Sequence, residues 1–186
     1  MKDYDITDFK HGKAFIHFDG IKDGKSDYGA KICINTKGKK LFELPDRDMI
    51  CNGFLEDDFA EVYLNNKISF INNKGQEIIP CIYDTDFFFE DNISTVCCNN
   101  KYGAIDLSGK TVIPFEYKKL SYSEGLFLAQ NTNGEFGYID INNDIIIPFG
   151  KYIDGNNFSG GYAVVSSKEK GNIYIDKLGK ELEIRI

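Results

Sequence analysis

The chain has 186 residues, enough for one medium domain with a continuous core. Its 22 basic and 29 acidic residues leave a net charge of −7, which argues against nucleic acid or an anionic membrane surface as the main partner. Apolar runs such as Ile145-Ile146-Ile147 are far too short to cross a bilayer as a helix.

The chain begins Met1-Lys2-Asp3-Tyr4-Asp5, polar where an export signal would turn apolar, and it carries 5 Cys, an odd number. Both features point to free thiols in a reducing cytoplasm. From there one phrase recurs: an apolar residue, Asp or Asn, two further residues, then Gly. It appears at Ile34-Asn35…Gly38, Ile71-Asn72…Gly75, Ile105-Asp106…Gly109, Ile139-Asp140…Asn143 and Ile175-Asp176…Gly179. A period of about 35 residues marks a repeat architecture in which each unit buries its apolar face on the next. The repeats fall at about 9–45, 55–80, 89–114, 122–148 and 158–186, all within one repeat domain spanning 1–186.

Each repeat offers three short segments rich in β-branched and aromatic residues, which read as strands. In the third repeat these are Ser94-Thr95-Val96, Tyr102-Gly103-Ala104-Ile105 and Val112-Ile113-Pro114, with proline expected to close the last one. Pro80 and Pro148 take the same place in the second and fourth repeats. No stretch carries a convincing helical stripe, so the expected fold is all-β, a solenoid of about five stacked antiparallel β-hairpin repeats. The Asp/Asn side chain is expected to accept backbone N–H groups in a tight turn, and the residue three later to adopt a left-handed conformation. Asn143, which replaces Gly once, is the next most tolerant residue. These five acids and amides therefore read as turn hardware rather than as an active site.

Other chemistry is sparse. His11 and His17 lack Cys or carboxylate partners at ligand spacing, so no metal is expected. Cys97-Cys98 sit side by side on a strand and face opposite ways, while Cys33, Cys51 and Cys81 are isolated. There is no glycine-rich nucleotide loop and no serine-hydrolase elbow, and no cofactor is expected.

Charge is distributed unevenly. Between Glu43 and Asp91 there are 12 acids (Glu43, Asp46, Asp48, Glu56, Asp57, Asp58, Glu61, Glu77, Asp84, Asp86, Glu90, Asp91) against Arg47, Lys67 and Lys74, a net of 3 − 12 = −9. Asp46 to Asp58 and Asp84 to Asp91 occupy the same connection of successive repeats, so stacking is expected to align them as one ridge. Tyr83, Phe87, Phe88 and Phe89 are interleaved there. Acid mixed with aromatic anchors suits a surface that steers in a basic protein and then grips it. The expected contact residues are Asp46, Asp48, Glu56, Asp57, Asp58, Tyr83, Asp84, Asp86, Phe87, Phe88, Glu90 and Asp91.

Lys101-Tyr102-Gly103-Ala104-Ile105-Asp106 with Val112-Ile113-Pro114 and Tyr117, Phe136-Gly137-Tyr138-Ile139-Asp140 with Ile147-Pro148, and Phe158 to Val165 resemble the WG β-repeat. The naming Trp is replaced by Tyr28, Ile68, Tyr102, Phe136 and Asn172, and the Gly survives at Gly29, Gly103 and Gly137. The resemblance implies a bacterial scaffold of stacked β-hairpins without catalytic activity. Choline-binding repeats share an aromatic-Asp-x-x-Gly pattern but are shorter and rich in Trp. The expected protein is a cytoplasmic, non-enzymatic binding module, monomeric or homodimeric, and most specifically an immunity protein for a basic toxin domain. A structural or regulatory scaffold for another protein or peptide, and a carboxylate-based hydrolase, are the alternatives.

Overall fold

A computed structural model describes residues 3–19, 21–22, 25–26, 29–44, 50–54, 59–65, 67–85 and 87–182. Every regular element among these residues is a β-strand, as the short, β-branched segments require. The chain divides into two compact bodies, Met1–Thr85 and Asp86–Ile186.

In the N-terminal body, β1 (Asp3–Ile6) and β2 (Lys13–Asp19) are followed by the small ribbon β3 (Ile21–Lys22) and β4 (Lys25–Ser26), then by β5 (Gly29–Asn35) and β6 (Lys40–Glu43). The first sheet runs β1-β2-β5-β6, with the ribbon falling between β2 and β5 in the chain. The second sheet joins β7 (Ile50–Phe54), β8 (Ala60–Leu64), β9 (Lys67–Ile71) and β10 (Glu77–Tyr83) in chain order. Phe15, Cys33, Cys51, Phe54, Val62 and Ile71 form its core, with Phe15 stacked on Phe54 at 5.2 Å. Burial pushes the Cys33 thiol up to about 11, against a smaller lowering by Lys13, so this cysteine behaves as a small apolar side chain.

The C-terminal body holds three sheets. The first contains β11 (Phe89–Glu90), β12 (Ile93–Cys98), β13 (Lys101–Asp106) and β14 (Thr111–Tyr117). The second contains β15 (Lys119–Ser123), β16 (Leu126–Gln130), β17 (Phe136–Ile139) and β18 (Ile145–Tyr152), and the third β19 (Asp154–Gly155), β20 (Tyr162–Ser167) and β21 (Gly171–Asp176). All are antiparallel meanders.

Two expectations are corrected. The second to fifth repeats each carry a lead strand that lies inside what reads as a connection: β7, β11, β15 and β19. The prolines also do not end their strands. Pro80, Pro114 and Pro148 lie within β10, β14 and β18, each an edge strand, and a register shift follows each one. An outward-facing edge does not need the missing N–H, and a bulge accommodates the ring. Past the shift, Tyr83, Tyr117 and Tyr152 rejoin the ladder opposite Ile68, Tyr102 and Phe136, and all three are buried.

The recurring turn is built as its chemistry requires. Oδ1 of Asn35, Asn72, Asp106, Asp140 and Asp176 accepts the N–H groups two and four residues on, at 2.8–3.0 Å. Gly38, Gly75, Gly109 and Gly179 take φ of 73°, 77°, 78° and 74°, and Asn143 takes 67°. A sixth copy, unread in the sequence, joins β16 to β17. There Asn131 Oδ1 accepts the N–H groups of Asn133 and Glu135, and Gly134 has φ of 88°.

Asn143 also has a positive reason to replace Gly: its Oδ1 accepts the Tyr117 hydroxyl of the preceding sheet at 2.8 Å. One repeat later the turn carries Gly179, which offers no side chain, and the buried Tyr152 hydroxyl has no partner among the described residues.

The surviving WG glycines answer a packing demand. A Cβ on Gly103 would lie 2.7 Å from the Ile113 carbonyl and 2.9 Å from the Phe115 ring; on Gly137 it would lie 2.9 Å from both the Ile147 carbonyl and the Phe149 ring. Register places Ser69 in the same position, opposite Val62 as Gly103 is opposite Val96. Ser69 is fully buried, and its hydroxyl donates to the corresponding carbonyl, that of Ile79, at 2.7 Å. Here residue 81 is Cys where the other two repeats carry Phe. The first repeat departs from the sequence reading: counted back from Asn35, the position belongs to Ile32, paired with Ile16, and Gly29 pairs with Phe18 instead. Tyr28 lies outside the described residues.

Replacing Gly137 with Ala is expected to cost about 1–3 kcal/mol by overpacking. Adding Phe149→Ala should cost less than the sum of the two single changes, as read by urea denaturation in a double-mutant cycle. Strict additivity would show that the ring does not impose the glycine.

Candidate functional site

The acidic ridge divides once it is placed on the fold. Asp46, Asp48, Glu56, Asp57, Asp58 and Asp86 lie outside the described residues, and with them the expected alignment of the two connections. Tyr83 is 3% exposed and belongs to the repeated buried tyrosines, so it is not a surface anchor. Asp84 is exposed and paired with Lys67.

In the C-terminal body, Ser94 is fully buried and its hydroxyl accepts the Phe88 N–H at 3.0 Å, holding the start of β11. Phe87 and Phe89 stack with ring centroids 6.2 Å apart, and Phe88 between them turns outward, 79% exposed. Phe88 is the aromatic that fits the expected anchor role. Phe87 is half-buried against its neighbour.

Glu90 and Asp91 also take part in the packing of one sheet on the next. They belong to the corner between lead strand and second strand, which recurs as Asp91-Asn92, Glu124-Gly125 and Gly160-Gly161 in successive sheets. Both residues of each corner have positive φ: 50° and 65°, 51° and 88°, 63° and 85°. A two-residue hairpin turn of this hand follows the twist of the strands and favours Asn, Asp and Gly. Glu is a poor choice there, because its Cβ crowds the left-handed backbone.

The contacts of Glu124 explain its presence. Its carboxylate accepts the N–H of Gly160 at 2.6 Å and of Gly161 at 3.0 Å, from the next corner, and pairs with Lys177 at 3.3 Å. Lys177 also donates to the Glu124 carbonyl at 2.7 Å. These bonds, the Gly161 N–H foremost, hold the carboxyl below its ordinary range. On the other side, Tyr122 donates to Asp91 at 3.1 Å and the Glu124 N–H reaches Glu90 at 3.5 Å. Ser123 donates to the Phe158 carbonyl at 2.9 Å, and Asn157 to Ser121 at 2.7 Å. The acids of this row therefore fasten sheet to sheet. In the sequence the only trace of the clamp is a Glu-Gly and a Gly-Gly pair 36 residues apart.

Among the described residues no three His, Cys, Asp or Glu side chains converge as ligands. His11 sits exposed in a corner, and the Nε2 of His17 is buried with no hydrogen-bond partner among the described residues. Cys97 is buried and Cys98 half-buried, on opposite faces of β12.

The WG containing repeat model matches residues 68–102, 102–134 and 136–170, more than half of the chain. Solved structures with similar backbones include the computationally designed Ika8 protein, 13% identical over 96% of this chain and 73% of that one, TM-score 0.41. BamB from Moraxella catarrhalis is 11% identical over 97% and 69%, TM-score 0.40. The WD40 β-propeller domain of Doa1 is 13% identical over 98% and 68%, TM-score 0.38. Likenesses this distant decide nothing further. No curated protein matches the sequence.

Protonating Glu124 removes an acceptor of both glycine N–H groups. Because its folded value lies below its ordinary 4.5, the clamp's contribution is complete above that pH and is lost as pH falls through the lowered value. The Gly160 and Gly161 amide protons should therefore titrate together with a midpoint below 4.5. Glu124→Asn, which suits the backbone but is too short to clamp, should abolish that titration and speed amide exchange at both glycines several-fold. An unchanged titration in the variant would remove Glu124 from the clamp.

Proposed function

The chain belongs to the WG containing repeat family, and from that premise we propose that it is a non-enzymatic protein-binding module whose partner is a basic protein. The observation that carries this reading is the charge of −9 confined to residues 43–91. Concentrating acids costs self-repulsion that scattering them would avoid, and a field of one sign accelerates encounter with a partner of the other. Phe88, 79% exposed, supplies an apolar anchor at the end of that stretch.

Tyr83 is buried in the fold, which leaves a contact set of Asp46, Asp48, Glu56, Asp57, Asp58, Asp84, Asp86, Phe87, Phe88, Glu90 and Asp91. The most specific role consistent with a small acidic binder is an immunity protein, acting in the cytoplasm to neutralise a basic toxin domain. Association would begin with long-range steering by the acids. Docking would then bury Phe88 and displace the water around it.

The test compares the wild-type chain with the triple reversal Asp57→Lys, Asp58→Lys, Asp86→Lys and, separately, with Phe88→Ser. A basic protein captured from the source cell should associate with the reversed chain about tenfold more slowly or worse, with a flatter salt dependence. Phe88→Ser should instead raise the dissociation rate. Unchanged rates in both variants would remove this stretch as the interface. Protection of cells expressing the captured protein would separate an immunity role from scaffolding.

A further inference from the structure

A cavity of about 360 Å³ opens in the C-terminal body between β14, β18 and the turns at Asn131 and Asn143. Its lining carries one charged side chain, Glu116, and no cation. Glu116 makes no ion pair among the described residues; Lys101 reaches only its main-chain carbonyl, at 3.5 Å. Phe149 and Tyr117 supply an aromatic wall, stacked at 6.3 Å and 19°, and Ile145, 60% exposed, supplies an aliphatic lip. The Tyr117 hydroxyl donates to Asn143 Oδ1 at 2.8 Å and lies within the influence of the Glu116 carboxylate. Burial and the nearby Glu116 charge push this phenol up, so it stays protonated at neutral pH.

We propose that this cavity receives an arginine side chain of the basic partner. One negative charge, acceptor oxygens and a flat ring make a site for a planar cation. A guanidinium can bond a carboxylate with two N–H groups while lying against an aromatic face, and its apolar stem can cover Ile145. An ammonium fits less well, being compact and more strongly hydrated. The size suits a single side chain with its backbone. This inference rests on the protein-binding reading and gives it a second contact, formed by the stacking of two repeats rather than by the acidic stretch.

The experiment uses the full chain and two neutral-ended probes, N-acetyl-arginine amide and the uncharged near-isostere N-acetyl-citrulline amide. The arginine probe should shift the Asn143, Ile145 and Phe149 amide resonances saturably in the millimolar range, with citrulline weaker by about tenfold. Glu116→Gln, a surface change that leaves the fold intact, should abolish that preference, and Ile145→Ser should weaken arginine without restoring citrulline. Absence of localised shifts, equal binding of both probes, or a preference that survives Glu116→Gln would each overturn the proposal. If arginine fails while the triple charge reversal still slows a basic partner, the cavity proposal falls and the binding reading stands. If arginine binds and no basic protein does, the binding reading falls instead.

Discussion

At Gly75 and Gly179 the turn that follows the third strand of the sheet meets two demands at one position. Three residues after the Asp or Asn, the backbone must turn left-handed, which Gly tolerates without cost. The same residue also lies against the preceding sheet. A Cβ on Gly75 would run into the Phe42 ring, at 2.4 Å, and one on Gly179 would come within 3.1 Å of Ile147. At these two positions local turn geometry and sheet-on-sheet packing converge on one residue, whereas at Gly38, where a Cβ would meet nothing among the described residues, the turn alone sets the requirement. The exception in the fourth repeat obeys the same rule. Asn143 keeps the positive φ, and the side chain it adds reaches the preceding sheet as a hydrogen bond from Tyr117.

A second coupling runs along the third strand. Gly103 and Gly137 leave room for a carbonyl and for Phe115 or Phe149. Ser69 meets the matching carbonyl by bonding to it. The repeat therefore varies in sets: a side chain appears where its neighbour yields space or offers an acceptor. Each hydrogen bond of this kind contributes modestly, about 0.5–1.5 kcal/mol, so the corners fix register and spacing while burial of residues such as Phe15, Phe127 and Phe158 supplies most of the stability.

This division explains what could be read from residues alone. The Asp/Asn turns are local, and their chemistry is complete within five residues, so they are legible. Two of the lead strands are not: Phe89–Glu90 and Asp154–Gly155 are two residues long, and neither shows an alternation. Pro80, Pro114 and Pro148 read as strand ends because the sequence does not reveal which strand is an edge. Tyr83 reads as a surface aromatic, yet like its counterparts in the next two repeats, Tyr117 and Tyr152, it is internal. Glu124 is the least legible, since its reason for occupying a left-handed position is a pair of N–H groups 36 and 37 residues away. The family resemblance carries the fold because it lies in the local part of the pattern, and it is silent on function for the same reason.

What the corners do with charge bears on the acidic stretch. The turn acceptor can be neutral or ionised: Asn35 and Asn72 fill the role that Asp106, Asp140 and Asp176 fill later, with the same bonds. In the C-terminal body several acids are therefore put to use by corners and clamps. In the stretch from 43 to 91 the turn acceptor is Asn72, so the turn contributes nothing to the charge there. Glu61 accepts the Tyr63 hydroxyl at 2.5 Å, Asp84 meets Lys67, and Glu90 and Asp91 meet the next corner. Glu43 likewise meets Lys40 and Glu77 meets the Ser69 hydroxyl, so each described acid of this stretch has a contact within the fold. The repeat can thus build its turn without charge, and the concentration of acids between 43 and 91 is the feature from which partner binding is proposed.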